Sequence, residues 1–526
     1  MDRMEPVDIN AAADAYAATP LLNCLLREAA APAGPGEPAD GNTAGAAVHR
    51  LRGSGRLLRV RGGRRPVRPE LRRADGGWHP LGHAELVKLV SDELGRFTGV
   101  PNDELPVEIT DSRDALAALL AARATAEPPT DPYLLSEQSL VMGHPHHPAP
   151  KARGGAPAAS WLPYAPEAHA RFPLVFLALR EDQAAEEGGP AASDAIDSLA
   201  DALDGPRAPA GYRLLPAHPW QLELVGEQPA VREAFTDGRL LRLGEGRRPA
   251  WPTASIRSLY VPEPAADLFV KFSLDVRITN DVRRLWRHDL LKLRRTDAAV
   301  EAGFAALRRT TRSDAAWLAD RGYRTAAFAF EELAVLVRDG LHAHTVPGAA
   351  PLLAAALAEG HAGSPPAGAG NPVRWWRAYL RQVVPPVLEL FARHGVVLEA
   401  HLQNTLVAVD AEGLPVQALF RDAEGVKLLP DLSRADAWQR LVYCLVVNNL
   451  AEIAGMLAER HRDIAPLLWP AAREEFLRYG ATRGLPEIAE LLAAPALPAK
   501  TNLLLRWTRA DGADARYLPL PNPLRG

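Results

Sequence analysis

The sequence predicts an α+β fold, on three observations. Helix-forming stretches gather at the two ends of the 526-residue chain, and strand-forming stretches gather in the middle. Strands and helices do not alternate as a doubly wound sheet requires. No internal repeat or heptad run occurs. A chain this long carries a prior of two to four domains. The changes in character place them at 1–130, a helical cap; 131–350, a mixed α/β section; and 351–526, a mostly helical section with a small β insert.

Taken in order, Leu21–Ala30 has an amphipathic helical pattern, and the Gly/Pro/Ala-rich stretch after it reads as a mobile surface loop. Residues 48–60 read as a hairpin turning at Gly53–Gly55. The basic run GGRRPVRPELRRADGG reads as a solvated loop. Helices are expected at Ala84–Phe97 and Asp114–Arg123, with a boundary at EPPTDP near residue 130. A helix over Tyr133–Met142 leads into GHPHHPAPKARGG (143–155), whose prolines fix φ and remove donors, so it must be a stiff loop. Phe172–Leu179 is a buried strand by its continuous apolar run, Gln183–Pro190 a surface turn, and Tyr212–Leu215 a strand running into AHPWQ. A strand-rich block spans Pro252–Thr279, and helix is expected at Asp281–Leu293. Long helices follow at Ala326–His342, Pro351–Glu359 and Val373–His394. Val396–Glu399 and Thr405–Val409 read as paired strands followed by Val416–Phe420, and helices return at Ala435–Glu459 and Pro470–Tyr479.

Composition excludes several function classes. Hydrophobic content of 47% and charged content of 24% are those of an ordinary globular chain. A net charge of −4 carries no footprint for nucleic acid or an anionic membrane. The first ten residues, MDRMEPVDIN, lack the pattern of a signal peptide. The longest apolar run, Val442–Leu457, is interrupted by Asn448, Asn449 and Glu452, short of the ~20 residues a bilayer span needs. Two cysteines, Cys24 and Cys444, in apolar helical surroundings support neither a disulfide framework nor a thiolate metal site. A cytoplasmic protein is expected. Arginine is abundant, whereas lysine occurs only at 88, 151, 271, 292, 427 and 500. The few lysines are therefore more apt to be needed as lysine, although Lys88 and Lys292 read as plain helix-surface residues.

The common nucleotide and hydrolase signatures are absent: no GxxxxGK[ST], no GxGxxG after a strand, no HExxH and no GxSxG. Four polar clusters in apolar segments remain. The loop at 143–155 offers His144, His146, His147, Lys151 and Arg153; it suits an anion, a metal ion held by the histidines, or a purely structural turn. In PTASIRSLY (252–260), alternation puts Ser255 and Arg257 on one strand face, where both can reach a phosphate. In KFSLDVRITNDVR (271–283), Lys271, Ser273, Asp275, Arg277 and Thr279 share a strand face beside an expected helix start, a reasonable phosphate site. In EAHLQN (399–404), Glu399, His401 and Gln403 share a side if extended, and Asn404 and Asp422 add oxygen donors suited to Mg²⁺. Together these describe an anion-binding cleft with a Mg²⁺ site and no P-loop, which points to phosphoryl or adenylyl transfer.

These residues resemble, in order, the motifs of the siderophore synthetases that act independently of non-ribosomal peptide synthetases, typified by the aerobactin synthetases. The loop matches GHPxHPxxKxRxG at every specified position; HPWQ (218–221), SIRS (255–258), Lys271 to Arg283 and HGVVLEAHLQN (394–404) follow, with KTNLLLRW and NPL near the C-terminus. The resemblance implies a thumb, fingers and palm arrangement and a homodimer. It implies ATP-dependent adenylation of a carboxylate, most often citrate or a citryl derivative. Attack by an amine or hydroxyl then gives an amide or ester with release of AMP and pyrophosphate. By position it assigns ATP contacts to His147, Ser255, Arg257, Ser258, Lys271, Arg283 and Asn404, and Mg²⁺ to Glu399, Asp422 and Asn404. His401, Gln403 and Arg283 take the carboxylate, and His401, Arg283 and Lys271 are the catalytic set. The chain reads SIRS where the family has S-x-R-T, so Ser258 keeps a hydroxyl with altered positioning. Two rivals stand beside this reading: a desferrioxamine-type ligase of succinyl-hydroxamate units, and a non-catalytic protein that binds or reduces a ferric siderophore.

Overall fold

The computed structural model describes residues 8–34, 45–263, 266–311, 313–360, 364–365, 370–510 and 517–525, so most of the Gly/Pro-rich stretch after the first helix lies outside the described residues. Helix α1 (Ile9–Glu28) begins on Asp8, whose carboxylate accepts from the N–H groups of Asn10 (3.0 Å) and Ala11 (3.3 Å). A five-stranded antiparallel meander follows in chain order: β1 (Ala30–Pro32), β2 (Ala46–Leu51), β3 (Leu57–Arg61), β4 (Val67–Arg72) and β5 (Trp78–Pro80). The β2–β3 hairpin turns where expected. A Cβ at Gly53 would lie 2.7 Å from the Glu93 carbonyl oxygen, so only glycine lets the turn approach α2 (His83–Thr98) this closely. Helix α3 (Glu104–Arg123) packs on α1 and starts ten residues before the expected Asp114. The basic stretch after β3 is not a solvated loop. Part of it is β4, and Arg64 and Arg65 reach across the molecule to the Glu452 carboxylate (2.9 Å) and the Glu359 carbonyl (2.6 Å).

The middle section opens with a short helix, α4 (Pro132–Glu137), which stops before the expected Met142, and α5 (Ala158–Trp161). Strand β6 (Val175–Arg180) is the centre of a three-stranded sheet in the order β8–β6–β9, which explains its continuous apolar sequence. The segment expected as a surface turn holds β7 (Ala184–Glu187), the polar edge strand of the larger sheet. Helix α6 (Gly189–Ala202), β8 (Tyr212–Ala217), α7 (Pro219–Val225), α8 (Pro229–Thr236) and β9 (Leu240–Glu245) complete this layer. The larger sheet is antiparallel, in the order β10–β11–β12–β17–β16–β7, with β10 (Trp251–Pro252), β11 (Ser258–Glu263), β12 (Ala266–Phe272), β16 (Asp320–Ala326) and β17 (Val335–Asp339).

Four expectations fail here, each for its own local reason. The segment expected as a helix over Ala326–His342 contains β17, with apolar residues on both faces because it separates two cores: Val335 and Val337 pack on the β6 side, and Leu336 on the other. The run from Lys271 to Thr279 is not one strand. It breaks at Ser273, whose N–H bonds the Ala334 carbonyl and whose hydroxyl accepts from the Leu285 N–H. The segment then forms a hairpin of β13 (Leu274–Ile278) and β14 (Asp281–Arg283), turning at Thr279 with φ 61°. Helix α9 (Arg287–Thr311) starts only after it, later than the expected Asp281. Residues 253–257 form a turn between β10 and β11, closed by the Ser258 N–H on the Ser255 carbonyl (2.7 Å), so Ser255 and Arg257 do not share a strand face.

A four-stranded sheet, β15–β21–β20–β18, organises the rest, with β15 (Ala316–Leu318), β18 (Ala350–Leu353), β20 (Thr405–Val409) and β21 (Pro415–Arg421); β15 and β21 are parallel. Helices α10 (Ala354–Glu359) and α11 (Pro372–His394) follow β18. Strand β19 (Val396–Val397) pairs with β22 (Lys427–Leu428), not with Thr405–Val409 as expected. Residues 398–404 between them are irregular, so no strand alternation orients Glu399, His401 and Gln403. Helix α12 (Arg434–Arg460) is long and apolar enough to cross a membrane by length and composition, but 78% of its most apolar window is buried inside the protein, as in a core helix. Helices α13 (Ala465–Arg483), α14 (Glu487–Ala493) and α15 (Asn502–Trp507), with the β23 (Ala496–Lys500)–β24 (Tyr517–Pro521) hairpin, close the chain. Leu503 and Trp507 of α15 return to the core beneath α1.

Candidate functional site

Lys271 sits on β12 between Ser258 of β11 and Leu336 of β17, and it is 5% exposed. Its ammonium donates to Asp422 (2.7 Å) and Glu424 (2.7 Å), which come from the turn after β21. Asp422 holds φ 83°, a left-handed conformation in which a side chain other than glycine is uncommon, and this turns its carboxylate back onto the sheet. Arg338 of β17 donates to the same Asp422 oxygen (3.0 Å) and is itself gripped by Asp320 (2.6 and 3.1 Å). Arg257, in the turn before β11, donates to Glu424 (3.2 Å) and to the carbonyls of Arg283 (3.0 Å) and Arg284 (2.9 Å). Burial alone would push the Asp422 carboxyl up; Lys271 and Arg338 outweigh it and hold the group far below the usual carboxylate range. Glu424 is lowered in the same way, with Lys271 and Arg257 outweighing burial.

A second group lies on the β13–β14 hairpin. The Arg283 guanidinium donates to the Ile278 carbonyl (2.7 Å) and the Thr279 hydroxyl (2.5 Å), and no carboxylate among the described residues pairs with it. Burial and the neighbouring Arg257 lower its pKa, the signature of a cation held without a counter-charge. His147 faces the same hairpin. Its Nδ1 accepts from the Ala149 N–H (3.1 Å), so Nε2 carries the proton and donates to Asn280 Oδ1 (3.2 Å). Burial, with Arg506 nearby, takes its pKa down to about 3, and the ring is neutral at physiological pH. A neutral donor beside an unpaired guanidinium is a ready site for an anion.

The expected residues of EAHLQN line the neighbouring loop. His401 Nε2 stands 3.8 Å from Glu399, which Arg440 of α12 holds at 2.8 Å. Burial lowers the His401 pKa below its ordinary value. The side chain of Gln403 is exposed while its carbonyl takes Arg421 (3.2 and 2.9 Å), and Asn404 is 6% exposed. Glu399 lies against Gly425, where a Cβ would meet its carboxylate at 2.1 Å, so Glu399 and the Asp422–Glu424 turn are neighbours. Ser258 and Ser255 place their hydroxyls 3.5 Å apart in the turn beside Lys271.

The 143–155 loop divides its tasks. Lys151 and Arg153 are taken up by a carboxylate of the chain itself: both are buried on Glu167 (2.5 and 3.2 Å), which fastens the loop internally. His146 bridges Arg27 of α1 (2.9 Å) and Glu452 of α12 (3.1 Å). With His147 on Asn280 and His144 exposed, the three rings diverge, and among the described residues no group of three or more His, Cys, Asp and Glu could hold a metal ion. Sequence reasoning missed Arg338, Asp320 and Asn280 as site residues. Arg338 and Asp320 lie on strands, and Arg338 falls in the segment that had read as helical.

Residues 132–359 match the IucA / IucC family, and residues 373–515 match the family described as ferric iron reductase FhuF-like transporter. The L-2,3-diaminopropanoate–citrate ligase of Staphylococcus aureus is 28% identical over 442 residues, covering 75% of each chain. The rhizobactin siderophore biosynthesis protein RhbC of Rhizobium meliloti is 29% identical over 447 residues, 74% of this chain and 75% of that one. The structure of ATP-bound aerobactin synthetase IucA from Klebsiella pneumoniae superposes with a TM-score of 0.79 at 22% identity, covering 98% of this chain and 100% of that chain.

Proposed function

We propose that this chain, whose residues 132–359 match the IucA / IucC family, is an ATP-dependent siderophore synthetase that adenylates citrate or a related carboxylate and joins it to an amine or hydroxyl. The observation that carries this reading is the pairing of two groups. The Lys271 cluster supplies fixed cations and carboxylates for a nucleotide's phosphates, and Arg283 with His147 supplies an unmatched anion site beside it.

In the first step a carboxylate oxygen attacks the α-phosphorus and pyrophosphate leaves. Negative charge grows on the phosphate oxygens, and Arg257 and Arg283 are held in place to meet it. Lys271 meets it by exchanging its contacts to Asp422 and Glu424 for phosphate, while Asp422 stays on Arg338 and Glu424 on Arg257. Asp422, Glu399 and Asn404 are the oxygen donors that would hold Mg²⁺, which needs only one or two carboxylates beside phosphate and water and would supply positive charge to offset that of the pyrophosphate. His401, Gln403 and Arg283 orient the substrate carboxylates, with the His401 ring neutral and able to donate or accept. In the second step the amine or hydroxyl adds to the acyl carbon and AMP leaves. Proximity suffices, because the acyl-adenylate is already activated.

The test is pyrophosphate release by purified protein given ATP, Mg²⁺, citrate and a panel of amines, with hydroxylamine trapping of the adenylate as a hydroxamate. Release with succinate-derived hydroxamates but never with citrate transfers the reading to the desferrioxamine-type ligase. The match of residues 373–515 to the FhuF-like family favours one further reading, a protein that binds or reduces a ferric siderophore. The two cysteines are both buried and cannot assemble a thiolate cluster, so an iron–sulfur version of it is disfavoured. Tight ferric-complex binding without ATP turnover on any carboxylate would establish it. A homodimer in the cytoplasm remains the expected setting.

A further inference from the structure

Residues 398–404 are irregular, yet their backbone is held at almost every step. The Ala400 carbonyl accepts from Asn449 Nδ2 (2.9 Å), and the His401 carbonyl accepts from the Thr405 hydroxyl (3.0 Å) and the Asn404 N–H (3.1 Å). The Leu402 N–H donates to the Asn448 carbonyl (3.3 Å), and the Leu402 carbonyl accepts from the Ala355 N–H of α10 (3.2 Å). Two of these anchors, Asn448 and Asn449, are consecutive residues of α12. They fall in a π-helical stretch of it, Tyr443–Leu450, beyond which the Ala451 N–H still bonds back five residues to the Val446 carbonyl. Where a helical ladder widens in this way, a carbonyl can take a donor from outside the helix, and such stretches gather at functional sites.

Asn449 and Thr405 are fully buried, and the donors around them run in one direction. Tyr379 of α11, stacked on Trp375 (5.5 Å) and Trp376 (5.8 Å), donates its hydroxyl hydrogen to Asn449 Oδ1 (2.5 Å). Asn449 Nδ2 then donates to the Ala400 carbonyl and to Thr405 Oγ1 (3.3 Å), which leaves the Thr405 hydrogen for the His401 carbonyl. With the amide flipped, its oxygen would face the Ala400 carbonyl, so the chain fixes the orientation of the side chain. An apolar residue would fill this space, as Val447 and Leu450 fill theirs in the same core. What the amide adds is a connection from a rigid aromatic stack to the backbone of His401.

We propose that Asn449, acting through Thr405 and the backbone of residues 400–402, is a positioning residue that sets the His401 and Gln403 side chains toward the substrate carboxylate. It touches no substrate itself. This assignment rests on the synthetase reading, because only there does the 399–404 loop receive a carboxylate.

The experiment follows hydroxamate formation from ATP, Mg²⁺, hydroxylamine and the carboxylate that the native protein turns over fastest. Thr405→Val keeps the shape and removes the hydroxyl. It should raise the carboxylate KM by about tenfold, with the KM for ATP moving less than about threefold. Thr405→Ser restores the hydroxyl and should keep the carboxylate KM within about threefold of native. Stability should not follow this order. Thr405 lies in the buried strand β20, where a β-branched valine is favoured over serine, so Thr405→Val should melt no lower than Thr405→Ser. Asn449→Ala should raise the carboxylate KM at least as much as Thr405→Val; if it does not fold, the Thr405 pair decides alone. A carboxylate KM unchanged in Thr405→Val overturns the proposal. So does a loss in Thr405→Ser equal to that in Thr405→Val, or an ATP KM that rises in step with the carboxylate KM. Absence of hydroxamate from the native protein with any carboxylate defeats the synthetase reading and this one with it; hydroxamate formation whose carboxylate KM ignores Thr405→Val defeats this one alone.

Discussion

In the proposed synthetase, Lys271 is the residue on which adenylation would converge, and its replacement is the sharpest test at this scale. Lys271→Ala should lower the rate of pyrophosphate release by about 10³-fold, the order expected when a preorganised charge at the transition state is lost. The variant should still fold, because Asp422 retains Arg338 and Glu424 retains Arg257. Activity within tenfold of native, in a protein with a native melting curve, would remove Lys271 from the mechanism. A second prediction concerns Asp297 of α9, which accepts from Trp317 Nε1 (2.7 Å) and the Asp320 N–H (3.0 Å) while its other oxygen has no hydrogen-bond partner and lies 3.9 Å from Arg294. Burial and Asp320 raise its pKa from 3.8 to about 7. A carboxyl whose folded value lies above its unfolded one burdens the folded state once it ionises. The penalty is absent below about pH 4, grows as pH rises and is complete above about pH 7. Asp297→Asn keeps both accepted bonds through its oxygen and removes the charge. It should be more stable than native by about 2 kcal/mol at pH 8, with the gain shrinking toward pH 5 in urea melts. A gain independent of pH would show that Asp297 does not ionise in this range. At this scale the candidate residues stand out in the sequence as polar groups clustered in or beside apolar stretches. Their convergence does not: Lys271 and Asp422 meet across 151 residues, and nothing in either segment names the other.

Elements were legible where one pattern dominates and illegible where two environments meet. The β2–β3 hairpin and α2 follow directly from turn glycines and amphipathic spacing. Strand β17 does not, because a strand buried on both faces shows neither alternation nor a helical stripe, and its length alone would have had to decide. The hairpin carrying Thr279 and Arg283 was likewise hidden: the departure from helix depends on Thr279 at φ 61°, which a threonine adopts only when its surroundings impose it. Helix α15 shows how far such outside control extends. At six residues it is too short to be stable alone, and its opening N–H groups are capped from another section of the chain. The Glu28 carboxylate at the end of α1 accepts from Leu503 (3.1 Å) and Leu504 (2.8 Å). Glu28→Ala leaves two buried donors without an acceptor, at a cost of about 2 kcal/mol. Residues 500–509 should then become the first site of limited proteolysis and lose amide protection, while Lys271-dependent adenylation changes less than the protection does. Unchanged exchange rates across that segment would show that α15 is held by Leu503 and Trp507 packing alone.

At the scale of the molecule, the sections anticipated from composition are sewn together. The parallel pair of β15 and β21 sets Trp317 beside Phe420 and Leu318 beside Arg421, so residues on the two sides of position 350 form one sheet. Phe304 of α9 stacks on Trp317 at 6.3 Å and meets Phe420 at 6.0 Å in the same core. Arg421 continues the seam inward, pairing with the fully buried Glu137 of α4 at 2.7 Å. A cut at residue 350 would therefore expose the inner face of the four-stranded sheet and strand a buried carboxylate, and each of these is severe on its own. Fragments 1–350 and 351–526 should be insoluble or molten when expressed separately, and should recover a single cooperative melt and ATP-dependent hydroxamate formation when produced together. The same weave bears on chemistry, since Lys271 and Arg257 come from one side of the cut and Asp422, Glu424 and His401 from the other. If fragment 1–350 instead unfolds cooperatively alone, the β15–β21 seam is a docking surface between finished domains, and opening along it becomes the natural route by which carboxylate and amine reach the Lys271 cluster.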